Sequence, residues 1–352
     1  MQKIPGSPSD AGIVPSRNRR IDGQTLIVGA SGVIGRELAR ELCSTHNAVL
    51  AAMFEKVPPK GFEELGSDMQ MVLGMDVRNP EMVKKVFDDN PDVYSVWHLA
   101  AVLSVQTAED PDAARAVSVG GMKNIIEAML RHSTARRLLF SDSIGSFGPE
   151  SPRENATAEW LLTHPDQDPG SDYGLQKGEC RKLLLEAAAK YGIDSRFAVI
   201  PGVLHTNPRW GRGTTEYVLD AIHAAVIGIV FENPVPMGVV LPMIHVKDLI
   251  TGLYKLEMAD RTDLRAPGAG YTFSGFSFAP EDLYRELVKL GLNPRWEDAS
   301  EGSVQAKFAR AWPNSVDGGD AKRDLGFSPK YDFESTINDI VRAHRAMASG
   351  IS

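Results

Sequence analysis

The sequence predicts an α/β fold, a doubly wound parallel sheet with a smaller C-terminal lobe. Three observations predict it. Short apolar runs alternate with helix-like segments from Gln24 to about Ile200, a rhythm that favours parallel strands joined by crossover helices. A glycine-rich corner, Gly29 to Gly35, joins the first apolar run to the first helical one. After Pro201 the rhythm loosens into Gly- and Pro-rich pieces, which marks off the lobe.

The strands read as TLIVG, AVLAAM, QMVLG, SVWHLA, RRLLFSD and SRFAVI, aliphatic runs bounded by turn residues. Between them lie the helical stretches GRELARELCS, PEMVKKVFDD, DAARAVSVGGMKNIIEAML and YGLQKGECRKLLLEAAAKYG, the last stopped by Gly192. Four more helices follow, at TTEYVLDAIHAAVIG, VKDLITGLYKLE, APEDLYRELVKLG and FESTINDIVRAHRAMA. Residues 1–20 then form a polar arm and 21–203 a dinucleotide-binding domain. The substrate lobe takes 204–236 and 259–331, with 237–258 and 332–347 packing back on the first domain.

A chain of 352 residues with 43% hydrophobic content can bury a large core. Its net charge of −8, without a long basic run, predicts neither a nucleic-acid partner nor an anionic membrane surface. No segment approaches the ~20 apolar residues needed to cross a bilayer. Cys43 and Cys180 both fall in helix-like stretches, so they read as reduced packing residues and not as a disulfide or a metal site. Cytoplasmic localisation follows, with a transit-type leader as the lesser reading of the first twenty residues.

Gly29, Ser31, Gly32, Val33, Ile34 and Gly35 form a corner with little side chain, where a pyrophosphate can approach the backbone at a helix N-terminus. By itself the glycine spacing equally fits an ordinary turn. Asp76, followed by Val77, ends the third strand region and could accept from an adenine amine, or cap the next helix. Leu99, Ala100 and Ala101 end the fourth strand with room for a cofactor. Tyr173 and Lys177 stand four apart, on one helical face, where an ammonium favours the phenolate by charge. Ser141, Asp142 and Ser143 end a strand where the ligand crevice of such sheets lies.

In this order, these features resemble the extended short-chain dehydrogenase/reductase family, whose fold is a Rossmann-type doubly wound parallel sheet with a smaller C-terminal substrate lobe. A finer resemblance, to the short-chain type of L-threonine 3-dehydrogenases, rests on HLAAVLS (His98 to Ser104), SIGSFGP (Ser143 to Pro149), the PG at Pro201, GRGTTEYVLDAI (Gly211 to Ile222), LPMIHVKD, FSFAPEDL and AWPNSVDGGDAKRDLGF (Ala311 to Phe327).

The resemblance implies NAD-dependent oxidation of a β-hydroxy-α-amino acid, with L-threonine the leading small-molecule substrate. It implies that Tyr173 is the base, Lys177 its modulator and ribose ligand, and Ser143 the hydroxyl residue, with Pro201 beside the cofactor. Ser104, Gly213, Thr214, Thr215 and Trp312 would surround the amino acid, although Thr214 also fits a helix cap and Trp312 an apolar anchor. A homodimer through the third and fourth helical stretches is implied as well.

Three departures stand out. Met53 replaces the acid expected at the end of the second strand, with Glu55 two residues on, so NADP stays open beside NAD. Ser118 aligns with a relay Asn. Asp142 adds a charge that would bind an ammonium or reject a carboxylate if it faced the substrate. A nucleotide-sugar epimerase or reductase shares most of these features, and a non-catalytic cofactor-binding protein would tolerate the departures.

Overall fold

The structure, a computed structural model, describes residues 21–350 apart from positions 22, 46, 63, 66–68, 209–210 and 266–267; the polar arm at 1–20 lies outside the described residues. In chain order the strands are β1 (Gln24–Val28), β2 (Ala48–Ala52), β3 (Met69–Val72), β4 (Val93–His98), β5 (Arg137–Ser143), β6 (Asp194–Ile200), β7 (Gly202–Leu204), β8 (Val230–Asn233), β9 (Leu241–His245), β10 (Gly270–Thr272), β11 (Phe276–Phe278) and β12 (Arg295–Asp298). The helices are α1 (Val33–Ser44), α2 (Pro80–Asp89), α3 (Ser104–Glu109), α4 (Pro111–Arg115), α5 (Gly121–Arg131), α6 (Ala158–Thr163), α7 (Asp172–Tyr191), α8 (Tyr217–Ile227), α9 (Val246–Met258), α10 (Pro280–Lys289), α11 (Val304–Ala311), α12 (Gly319–Leu325) and α13 (Phe333–Ala348).

Seven parallel strands make the main sheet, in the order β10-β6-β5-β4-β1-β2-β3. Every residue of β1 is buried, because helices cover both faces of the sheet. Two buried apolar clusters result. One, holding Leu26, Val96, Leu138 and Phe197, faces α2, α5 and α7; the other, holding Ile27, Trp97, Leu139 and Ala198, faces α1 and α9. The alternation of neighbours along β1, β4, β5 and β6 between the two clusters is the period-2 rule of a strand buried on both sides. Chain order reverses at β1, between β2 and β4, which opens the crevice where such sheets take their ligands.

The second half holds two small sheets, β11-β9-β7 and β12-β8. Residues expected in the lobe also contribute β10, which extends the main sheet beside β6. Helix α9 lies against α1, and α13 packs chiefly on α8 and then on α10 and β11. The stretch expected as one helix from Asp112 to Leu130 is divided into α4, a π-helical turn at Ala116–Gly120, and α5. Cys43 and Cys180 are both buried thiols. Among the described residues, no helix is long and apolar enough to cross a membrane.

Candidate active site

A cleft of about 980 Å³ runs over the carboxyl ends of β1, β4, β5 and β6. At one end the corner between β1 and α1 supplies Gly29, Ser31, Gly32, Val33, Ile34 and Gly35. Gly29 has φ of +91°, and a side chain there would stand 2.6 Å from the Ala100 nitrogen. One at Gly35 would stand 2.5 Å from the Gly29 carbonyl oxygen. The turn, its helix and β4 are therefore packed backbone to backbone, leaving the α1 N-terminus open to a pyrophosphate. This cradle fits a dinucleotide.

In mid-cleft, α7 presents Tyr173 and Lys177 and β5 presents Ser143. The helix start is fixed by Ser171, whose hydroxyl caps the Gly174 N–H at 3.1 Å. Lys177 is buried, and its Nζ donates to the Ser141 carbonyl at 2.6 Å while lying 5.6 Å from the Tyr173 ring centre. The Ser143 oxygen accepts the Gly145 N–H at 3.0 Å. Its own O–H hydrogen is thereby left for another acceptor.

At the far end stand Ser104, Gly213, Thr214, Thr215 and Trp312, with Leu99, Ala101 and Pro201 on the walls between. The Ser104 and Thr214 hydroxyls lie 3.0 Å apart, and Ser104 also accepts the Thr214 N–H. The indole N–H of buried Trp312 has no partner among the described residues. Thr214 does not cap α8, whose first residue is Tyr217.

Asp76, Val77 and Ala100, expected beside the cofactor, are not on this wall. Both Asp76 oxygens bind the Arg78 side chain, at 2.7 to 3.1 Å, and that hydrogen bonding holds the carboxyl below its usual range. Met53 is buried with the core side chains, while Glu55 reaches the wall together with Arg36 and Lys60. The Ser118 carbonyl, in the π turn, is paired with His98 Nε2 at 2.9 Å.

The expectation for Asp142 is corrected. Although it borders the cleft, its side chain is fully buried, and one oxygen is ion-paired to Arg181 of α7. The other accepts from the Ser143 N–H and the Ser146 hydroxyl. It fastens β5 to α7, and its side chain is not exposed to the cleft.

Other cleft residues had no predicted role, among them His205, just after β7, and Glu216, just before α8. Burial pushes the Glu216 carboxyl up to about 7. The acid after Thr214-Thr215 was the one sequence signal for it.

The fold and this cleft define a nucleotide-dependent enzyme of the short-chain dehydrogenase type. The family model described as the NAD dependent epimerase/dehydratase family matches residues 25–262, and the chain belongs to that family. It is 28% identical, over 90% of its length and 95% of the relative's, to an uncharacterized epimerase/dehydratase of Staphylococcus aureus strain USA300. A monomeric L-threonine 3-dehydrogenase from a metagenome superposes with a TM-score of 0.80 at 25% identity, covering 92% of this chain and 99% of that one. The L-threonine 3-dehydrogenase of Trypanosoma brucei gives 0.79 at 24%, covering 93% and 98%. The UDP-glucose 4-epimerase of Thermus thermophilus, in complex with NAD, gives 0.75 at 19%, covering 92% and 99%. These last two show the fold alone.

Proposed function

We propose that this protein oxidises the secondary hydroxyl of a β-hydroxy-α-amino acid with NAD⁺, L-threonine going to 2-amino-3-oxobutanoate. The observation that carries the reading is that one cleft joins the glycine corner, the Ser143, Tyr173 and Lys177 set, and a small polar end built from Ser104, Thr214, Thr215 and Glu216. The Ser143 O–H donates to the substrate hydroxyl oxygen and holds it against Tyr173. Tyr173 takes the hydroxyl proton as the C–O bond gains its second bond. Lys177, fixed to the Ser141 carbonyl, keeps a positive charge beneath the Tyr173 ring. When bound, the nicotinamide supplies the two-electron acceptor for the hydride leaving Cβ. Glu216, ionised, offers the substrate ammonium its counter-charge.

NAD⁺ rather than NADP⁺ is proposed because Glu55 stands on the wall at the adenosine end and can accept from the ribose hydroxyls, in the place that buried Met53 leaves. A homodimer through α5 and α7 is proposed with it, since the two helices adjoin and leave Leu130, Leu175 and Tyr191 exposed; sedimentation giving a single 38.3 kDa species would remove that part.

The deciding experiment is the initial rate of NADH formation from L-threonine and NAD⁺, with NADP⁺ as the cofactor control. Tyr173→Phe is expected to lower turnover by about 10²–10⁴-fold while NADH still binds. Tight binding of UDP-glucose with no oxidation of L-threonine would overturn the reading in favour of a nucleotide-sugar enzyme.

A further inference from the structure

We infer that His205 reads the carboxylate of the substrate, as a neutral imidazole donating its Nε2–H into the cleft. The inference rests on the amino-acid reading above. Along β7, alternate residues share a face. Val203 lines the cleft, Leu204 is buried in the core, and His205 returns to the cleft, only 4% exposed.

The ring's tautomer follows from its neighbour. The Asn207 N–H donates to Nδ1 at 3.2 Å, so the proton of the neutral ring sits on Nε2. No hydrogen-bond partner of Nε2 occurs among the described residues. Burial, with His344 and His245 adding to it, lowers the ring's pKa to about 4, so it stays neutral in the working range.

Position separates substrate from cofactor. Four residues at ~3.3 Å each place the His205 backbone roughly 13 Å along the chain from Pro201. A side chain at Gly202, which starts β7, would stand 2.8 Å from Thr215 Cγ2, which ties this strand to the Thr214-Thr215 end of the cleft.

Charge then assigns the group it reads. Among the described lining residues, the cations are Arg36 and Lys60 beside the glycine corner and Lys177, which is tied to Ser141. A carboxylate at the polar end therefore meets neutral donors, among them the His205 Nε2–H. Hydrogen bonds to a carboxylate are the stronger, charge-assisted kind. A zwitterion is sorted in one direction, its ammonium toward Glu216 and its carboxylate toward His205.

The test is calorimetric binding to the NADH-loaded protein of L-2-aminobutanoate, which lacks the reacting hydroxyl, and of propylamine, which lacks the carboxylate too. Wild type is expected to bind the amino acid more tightly. His205→Leu should weaken the amino acid by about tenfold and leave propylamine and NADH unchanged. His205→Gln, which keeps an N–H donor, should recover part of the loss. His205→Met serves as the second apolar variant if His205→Leu does not fold.

Equal weakening of both ligands, loss of NADH affinity, or no preference for the amino acid in wild type overturns the inference. Turnover of L-threonine is scored separately. Its absence beside His205-dependent binding of L-2-aminobutanoate would overturn the oxidation and leave the role of His205 standing.

Discussion

Glu216 has the ionisation that an ammonium-binding group needs only on one side of neutrality. With its carboxyl near 7, it is largely protonated below that pH and charged above it. An ammonium gains from the charged form alone, so kcat/KM for the amino acid should rise as pH increases through about 7. Glu216→Gln should remove that inflection and raise KM more than it lowers kcat, which a pH series on both proteins would check; an unchanged inflection would assign it to another group. At this scale the sequence was legible where partners are near in the chain. Tyr173 and Lys177 are set by one helical spacing, and Ser143 by the strand end. Asp142 was not legible, because its partner Arg181 lies 39 positions on and meets it only when α7 is laid across β5. Neither was His205, whose cleft-facing side follows from a three-residue strand.

Between elements, α7 packs tightly on the short 3₁₀ turn at Ile144–Ser146. A side chain at Gly174 would collide with the Gly145 carbonyl oxygen and with Pro169, and one at Gly145 would come within 2.8 Å of the Tyr173 ring. The two glycines let the base sit beside Ser143. Gly174→Ala should thus displace Tyr173 and strain the contact, at a cost of about 1–3 kcal/mol. Melting temperature and kcat should fall together while NADH affinity holds; a variant that lost stability at full kcat would show the helix position to be uncritical. Long elements such as α1, α7 and β4 to β6 were readable because their burial repeats over several residues. Strands β7, β10 and β11 have three residues each, too few to show an alternation, and their pairing partners are fixed only by tertiary contact. The π turn was hidden for another reason. One extra residue in a helix leaves the apolar pattern of AVSVGGM intact, and it becomes visible only where His98 takes the Ser118 carbonyl.

Over the whole molecule, three histidines have their pKa lowered to about 4, chiefly by burial. They are His98 at the end of β4, His205 after β7 and His344 on α13. In the unfolded chain a histidine titrates near about 6.5. Between those values the unfolded state binds protons that the folded state refuses, so folding stability is lost as pH falls from about 6.5 toward 4. Glu216 acts in the opposite sense, because its raised carboxyl favours the folded state on acidification between about 4.5 and 7. Asp194, lowered by Arg196 and Arg137 against the effect of burial, adds to the loss at the acid end. His245 is lowered too, and these imidazoles together with lowered carboxyls such as Asp194 and Asp339 oppose Glu216, so the net direction is acid lability. The melting temperature should be level above about pH 7 and decline steadily below 6.5. Because His98 ends a strand of the main sheet while His205 and His344 neighbour one another after β7 and on α13, the decline should be a single cooperative transition by calorimetry. A transition that splits in acid would show the lobe carrying His205 and His344 unfolding apart from the sheet that holds His98.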